Sequence, residues 1–265
     1  MFLDKEQIIE VEKTIEDSIK RKLREYEPET NYMPFHYRLL GKDRMALYSF
    51  IHSLNTSFGT SIFEPAALIL SRKNFIEAHK QYRVGNLIST HAQAEIQKII
   101  DELASGQRNP NKFEEIERIR KVVKSGKLVK TKVVKVDIFL KDKDGMVHML
   151  DLKTVKPNIS EFKTFKRTLL EWIAIYLQRE PDAKINSYIA IPYNPYYPRP
   201  YERWTIKGMI DINNELKVAE EFWDFLGGDR AYEELLKCFE RVGIKLRPEL
   251  DQYFSRFKDQ LWNKT

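Results

Sequence analysis

Two short apolar runs around an Asp-Gly pair constrain this chain more than any other feature. Over residues 132–153, apolar and polar side chains alternate on both sides of that pair, which is the pattern of a β-hairpin. A three-residue loop that ends at Gly145, with this glycine in the left-handed conformation, sets Asp137 opposite Asp151. We therefore expect the two carboxylates on one face of the hairpin, with their Cβ atoms roughly 5 Å apart.

Lys153 is predicted to share this face. The same register sets it opposite Lys135, and side chains alternate between faces along a strand, so Lys153 points to the side of Asp151. Two neighbouring carboxylates repel each other, and a hard divalent cation such as Mg²⁺ converts that repulsion into coordination. The hairpin therefore predicts a Mg²⁺ site at Asp137 and Asp151.

The arrangement of Asp137 followed by Asp151-Leu152-Lys153 resembles the PD-(D/E)XK nuclease superfamily. In that superfamily, an Asp on one strand and an acidic-x-Lys triplet on the next build a metal-dependent phosphodiesterase site. Val136 stands where the family name places Pro. The segment that follows Lys153 looks more specifically like type II restriction endonucleases that cut at GGNCC, and the resemblance is strongest over residues 130–180.

The resemblance implies roles for individual residues. Asp137, Asp151 and the peptide carbonyl of Leu152 hold Mg²⁺, while Lys153 orients or activates the attacking water and faces the phosphate. In this superfamily a Glu from a helix before the hairpin often assists the metal site. Glu95 is the candidate for that catalytic role and Glu64 is the alternative; for either one, an ordinary solvated carboxylate on a helix surface is the competing interpretation.

The fold class is predicted to be α/β (α+β) with a restriction-endonuclease-like core. Hairpin, helix and strand in succession give a central mixed β-sheet flanked by helices, and additional helices lie towards the N- and C-termini. We expect a helical N-terminal region over residues 1–85, the nuclease core over 86–200 and a helical C-terminal region over 201–265, all within one compact domain.

Apolar periodicity predicts the other elements along the chain. We expect one strand over residues 184–191. Helices are expected over 4–26, from Asp43 as N-cap to before Thr56, from Glu64 towards His79, over 89–103, from about Ile159 to Arg179 with Asn158 as N-cap, from Glu215 to Phe225, from Asp229 to Gly243, and after Pro248.

Cations near the hairpin are candidates for contacts with DNA. Residues 112–135 hold nine Lys or Arg against three Glu, a charge bias that raises affinity for a polyanion. The predicted helix from Ile159 begins with three further cations on faces away from its apolar stripe. A Pro- and Tyr-rich segment over 192–204 adds two arginines suited to reading or stacking on bases. The candidates are Lys130, Lys132, Lys163, Lys166, Arg167, Arg199 and Arg203.

Each of these segments has a competing interpretation. Residues 112–135 could form a solvated lysine-rich surface, and residues 192–204 could form a tyrosine-rich loop packed on its own domain.

The single cysteine, Cys238, excludes an internal disulfide framework and suits a reducing cytoplasm. No apolar run approaches the roughly 18 residues that a membrane span needs. We therefore expect a soluble, cytoplasmic protein with no membrane partner.

These features favour a Mg²⁺-dependent type II restriction endonuclease that cuts double-stranded DNA at a short palindromic site, with GGNCC suggested by resemblance alone. A palindromic site calls for two-fold symmetry, so we expect a homodimer, and a cognate DNA methyltransferase in the same system. Two alternatives stay open: a repair or junction-processing nuclease of the same fold, and a DNA-binding module that does not cut. Metal-dependent nicking of a plasmid separates the module from the nucleases, and discrete fragments separate the two nucleases.

Overall fold

A computed structural model describes residues 3–27, 33–131, 135–153, 161–202 and 208–258. The helices are α1 (Lys5–Glu25), α2 (Pro34–Leu40), α3 (Lys42–Phe58), α4 (Glu64–Ser71), α5 (Thr90–Ala104), α6 (Lys112–Val122), α7 (Phe162–Arg179), α8 (Ile212–Glu215), α9 (Glu220–Gly227) and α10 (Ala231–Lys258), with a π-helical turn (Gly59–Phe63) between α3 and α4. The strands are β1 (Phe75–Arg83), β2 (Leu87–Ser89), β3 (Leu128–Lys130), β4 (Lys135–Asp142), β5 (Val147–Leu152), β6 (Ile185–Ile191) and β7 (Leu216–Val218).

The central sheet is mixed and has five strands in the order β1-β4-β5-β6-β7. Strands β1, β4 and β5 pair antiparallel, whereas β5, β6 and β7 pair parallel. Strands β2 and β3 form a separate two-stranded ribbon. Helix α7 connects the parallel strands β5 and β6, as a parallel connection requires. The predicted mixed α/β sheet flanked by helices is confirmed.

The predicted hairpin is confirmed in its register and in its turn. Ile138 pairs with Leu150, and the same register continued by one residue sets Asp137 opposite Asp151. The loop closes where the backbone N–H of Asp142 donates to the carbonyl of residue 146, at 3.0 Å. Gly145 has φ of 78°, which is the left-handed conformation that a glycine adopts at little cost.

The core of this region lies between the sheet and the helices α5 and α7. The predicted apolar stripe of α7 is buried along its whole length, and so is the inward face of α5. These side chains pack with Phe139 of β4 and Met149 of β5 in one hydrophobic cluster. The spacing of apolar residues therefore predicted correctly which faces of both helices are buried.

Contacts divide the chain into two compact units. One unit comprises Leu70–Tyr232 and so contains the sheet and helices α5 to α9. The other comprises Leu3–Ile69 together with Glu233–Thr265, and so contains α1 to α3, most of α4 and nearly all of α10. The domain boundaries expected at residues 85 and 200 stay a prediction.

Two predicted helices contain strands instead. The helix from Glu64 was expected to run towards His79, but it ends at Ser71, and after a short turn β1 begins at Phe75. Likewise β7 interrupts the helix expected over 215–225. Both strands complete their backbone hydrogen bonds with sheet partners that are distant in sequence. A prediction from local helix propensity takes no account of those partners.

The C-terminal helix differs in the opposite way, because α10 is continuous where two helices were expected. Pro248 lies inside it. A proline costs a helix one hydrogen bond, but the buried side chains Val242, Leu246 and Tyr253 continue the apolar stripe across it. In the N-terminal part, Asp43 is not an N-cap, since α3 begins at Lys42 after Gly41. The predicted N-cap Asn158 lies outside the described residues.

Within the described ranges, none of the helices has the length and apolar character needed to cross a bilayer.

Candidate active site

The hairpin brings Asp137, Asp151 and Lys153 together, as predicted. Asp137 lies on β4 and is half-buried, whereas Asp151 lies near the end of β5 and is only 5% exposed. The Nζ atom of Lys153 lies 2.8 Å from Oδ1 of Asp151 and 4.7 Å from the centre of the Phe165 ring. The lysine therefore pairs with Asp151, which lies beside Asp137 on the neighbouring strand, and we call Asp137 and Asp151 the carboxylate pair.

Asp137 is held by two hydrogen-bond donors from neighbouring strands. The backbone N–H of Leu152 donates to Oδ2 at 2.9 Å, and Nε2 of Gln81 donates to Oδ1 at 3.2 Å. Sequence reasoning missed Gln81, because a helix towards His79 was expected and no strand was predicted here. Only the pairing of β1 with β4 shows that Gln81 lies opposite Asp137.

The surroundings of Asp151 disfavour its negative charge. Burial is the main cause that raises the pKa of this carboxyl to about 7; Lys153 lowers the pKa and the nearby Asp137 adds to the rise, and the value of about 7 includes both. Its Oδ2 atom is buried and has no hydrogen-bond partner among the described residues. A buried carboxylate oxygen without a donor is costly, and this cost falls if a cation binds there.

The residues present fit Mg²⁺. Hard divalent cations take carboxylate and carbonyl oxygens as ligands, and the carboxylate pair supplies an oxygen to which no described residue donates. Among the described residues, no group of three His, Cys, Asp or Glu side chains is placed to hold a metal ion. The carbonyl of Leu152, expected as a further ligand, stays a prediction.

The two glutamates considered for an assisting role lie in different units. Glu95 of α5 accepts from Nε of Arg118 at 2.5 Å, and this arginine on α6 also binds Glu102 at 2.6 Å. Glu95 thus links α5 to α6. Glu64 is buried at the start of α4. Participation of either glutamate in catalysis stays a prediction.

Lys166 cannot contact DNA, so this predicted contact is wrong. Its side chain is fully buried, and its Nζ atom lies 2.5 Å from an oxygen of both Glu115 and Glu215. Placing Lys166 outside the apolar stripe of α7 assumed that the other faces of the helix meet solvent. In the structure, α6 and α8 supply the two acids that neutralise it.

Lys166 belongs to a buried charge quartet, which comprises Lys112, Glu115, Lys166 and Glu215, all four without solvent exposure. The Nζ atom of Lys112 lies 2.8 Å from Glu215 and donates to the hydroxyl of Ser187 on β6, also at 2.8 Å. Two positive and two negative side chains thus lie together. The sequence offers no signal for this group, because its members come from three separate helices.

The other residues predicted to contact DNA are either at least partly exposed to solvent or outside the described residues. Lys130, Lys163 and Arg199 are exposed, and Arg167 is half-buried with its guanidinium donating to the side chain of Gln97. Their contacts with DNA stay predictions. Lys132 and Arg203 lie outside the described residues.

A known protein family matches nearly the whole chain. Residues 3–243 fit the profile of a family described as type II restriction endonuclease, HinfI. The chain is 29% identical over 221 residues to the type II restriction enzyme MjaII of Methanocaldococcus jannaschii, a match that covers 79% of this chain and only 58% of that protein.

Two further relatives match over most of their own length. The type II restriction enzyme HgiEI of Herpetosiphon aurantiacus is 25% identical over 248 residues, which covers 88% of this chain and 89% of the relative. HgiCII from the same organism, also named a type II restriction enzyme, is 25% identical over 245 residues, which covers 87% and 88%.

Proposed function

The chain belongs to the HinfI family of type II restriction endonucleases, and on that premise we propose that it hydrolyses phosphodiester bonds of double-stranded DNA at a short palindromic site with Mg²⁺. The observation that carries the proposal is the carboxylate pair. Asp151 is a buried acid with a pKa near 7, and one of its oxygens has no donor in the part of the chain that the structure describes. Such an acid is costly in the protein alone and suits a site that a cation completes.

The residues of the hairpin have separate roles in the proposed hydrolysis. Asp137 and Asp151 would hold Mg²⁺ with the carbonyl of Leu152, and the bound ion supplies charge stabilisation for the phosphate. Lys153 carries a positive charge beside Asp151. From there it faces the phosphate and positions the attacking water. Phe165 supports this ammonium group from one side, which restricts the directions in which the side chain can point.

The finer features of the proposal have separate support. Specificity for GGNCC is supported only by the resemblance of the segment after Lys153 to enzymes that cut there. The homodimer is supported by the symmetry of a palindromic site. Host DNA needs protection from such an enzyme, so a cognate methyltransferase and a cytoplasmic location follow from the same function.

Family membership favours restriction over the two alternative functions. A repair or junction nuclease would use the same carboxylate pair but would not produce discrete fragments from plasmid DNA. A DNA-binding module that does not cut would contact phosphate through cations. It would have no need for Asp151, a buried acid beside Asp137 with an oxygen that accepts no hydrogen bond from the described residues.

The test is cleavage of plasmid DNA by the wild-type protein and by Asp151→Asn. We expect discrete fragments with Mg²⁺ and none with EDTA. Asp151→Asn should abolish cleavage while DNA binding, measured by fluorescence anisotropy, is kept or strengthened. Asp144→Asn is a matched control, since it removes an exposed carboxylate from the turn of the same hairpin, and it should cut normally. Full activity of Asp151→Asn would refute the site.

A further inference from the structure

Strand β1 is irregular at the position that faces the carboxylate pair. Lys80 pairs with Ile138 and Tyr82 with Val136, so Gln81 lies between them, opposite Asp137. Gln81 has φ of 52°. This left-handed conformation is uncommon for a residue other than glycine, and it is disfavoured inside a strand. Such an outlier calls for a reason in its surroundings.

The packing around Gln81 shows what the irregular backbone does. In a regular strand, residues 79 and 82 would point to opposite faces. Here the rings of His79 and Tyr82 stack on each other, and both contact Phe139, at 6.2 Å and 4.1 Å between ring centres. The alternation of β1 is therefore broken at Gln81, and its side chain is the one that reaches Asp137.

The amide group is well suited to hold a metal-binding carboxylate. Its Nε2 must face Oδ1 of Asp137, since the opposite orientation would set the amide oxygen against a carboxylate oxygen. The backbone N–H of Leu152 holds the other oxygen. A carboxylate has about four lone-pair sites, so both oxygens of Asp137 retain capacity for a cation. A neutral donor also leaves the negative charge of the pair undiminished.

We propose that Gln81 is a positioning residue that fixes the orientation of Asp137 and thereby sets the affinity of the site for divalent cations. The inference rests on the proposed function, because it assigns Gln81 to the same metal site. A cation at this position would neutralise Asp137 and compete with the metal, whereas an acid would add a third carboxylate. Glutamine avoids both effects, and residues that hydrogen-bond to metal ligands commonly change metal affinity 10- to 100-fold when replaced.

The variant Gln81→Gly distinguishes the effect of the side chain from the effect of the backbone conformation. Glycine adopts a φ of 52° readily, so this variant loses the amide while the strand keeps its shape and its stability to urea. We expect the affinity for Mn²⁺, measured by calorimetry without DNA, to fall about 10-fold. The rate of DNA cleavage at limiting Mn²⁺ should fall with it. Lys80→Gly, at the preceding exposed position of β1, should leave the affinity unchanged.

For Gln81→Glu, whose side chain has nearly the same shape, we expect the affinity for Mn²⁺ to rise instead of fall. A third carboxylate beside the pair should raise the affinity for Mn²⁺ at least several-fold. Without metal, this variant should unfold at lower urea concentration than the wild type at pH 8, because three negative charges repel one another. A purely structural role of Gln81 predicts no gain in metal affinity for either variant.

Three outcomes distinguish the two proposals. If Gln81→Gly binds Mn²⁺ and cuts DNA like the wild type while Asp151→Asn loses both, the positioning role is wrong and the metal site stands. If Asp151→Asn also keeps Mn²⁺ binding and cleavage, the proposed function itself fails. A 10-fold loss of affinity in Gln81→Gly, without loss in Lys80→Gly, supports the positioning role.

Discussion

Two regions of this protein bury acidic and basic side chains together, but they do so in different ways. The buried charge quartet balances two lysines with two glutamates. Among the described residues, one lysine pairs with the carboxylate pair, and one oxygen of the pair has no donor. The first group has equal numbers of acids and lysines, whereas the second has two acids and one paired lysine in the described part of the chain.

Two carboxyls show how much this balance matters. Asp151 and Glu215 are both buried. Burial raises the pKa of Asp151 to about 7, because one lysine does not compensate for burial and for the second acid. Burial also acts to raise the pKa of Glu215, yet that pKa is lowered, because Lys112 and Lys166 both approach its carboxylate. For these two acids, burial acts in the same direction, and the difference in pKa comes from the lysines that contact each carboxylate.

The largest effect is expected from breaking the quartet. Lys166→Met leaves two glutamates with one lysine in a site without solvent, and removal of one partner of a buried ion pair costs about 3 to 5 kcal/mol. We expect the free energy of unfolding, measured with urea, to fall by this amount.

Charge balance can be tested within the same site. The double variant with Lys166→Met and Glu115→Leu removes one charge of each sign, so it should be more stable than Lys166→Met alone. Lys163→Met, at an exposed position of the same helix, should change the stability by less than about 0.5 kcal/mol. Equal losses in the single and double variants would show that packing, not charge balance, holds the quartet.

The carboxylate pair should make stability without metal depend on pH. Because the pKa of Asp151 is raised in the folded protein, the folded state holds its proton more tightly than the unfolded chain. This contribution is present below about pH 4 and is lost as the pH rises through about 7. A rise from 3.8 to about 7 corresponds to about 4 kcal/mol.

Urea unfolding in EDTA at pH 5.5 and pH 8 measures this dependence. We expect the wild type to lose stability between these values and Asp151→Asn to lose much less, so that the variant is the more stable protein at pH 8. Mg²⁺ should stabilise the wild type more at pH 8 than at pH 5.5, since binding needs the ionised acid. An identical pH dependence in both proteins would mean that Asp151 ionises normally.

The smallest effect on stability is expected at the turn that aligns the carboxylate pair. Gly145→Val should cost about 1 to 2 kcal/mol, because valine tolerates the left-handed conformation poorly. A Cβ at this position meets no atom within 4 Å, so the cost comes from the backbone. A slip of one residue would turn Asp151 and Lys153 to the other face, and cleavage should therefore fall more than stability.

Gly145→Asn is the control, because asparagine tolerates the left-handed region. It should keep most of the activity and most of the stability. The quartet lies outside the hairpin, so neither variant should disturb it. If Gly145→Val cuts DNA as fast as the wild type, the register does not depend on this turn.

The sequence by itself determined the features that depend on near neighbours. The Asp-Gly turn and the alternation of apolar residues fix the hairpin register over 138–150, and with it the meeting of Asp137, Asp151 and Lys153. The buried faces of α5 and α7 follow from helical spacing in the same way. In each case the interacting residues lie within one element or on two strands joined by a short turn, so the pattern contains the whole geometry.

Tertiary structure alone decided the partners that come from distant parts of the chain. Gln81 meets Asp137 across 56 positions, and Lys112 meets Glu215 across 103. Strands β1 and β7 form where helices were expected, because the sheet supplies their hydrogen bonds. Lys166 was expected at the surface for the same reason: local periodicity places a lysine away from an apolar stripe, but only the packing of α6 and α8 shows whether water or two glutamates lie there.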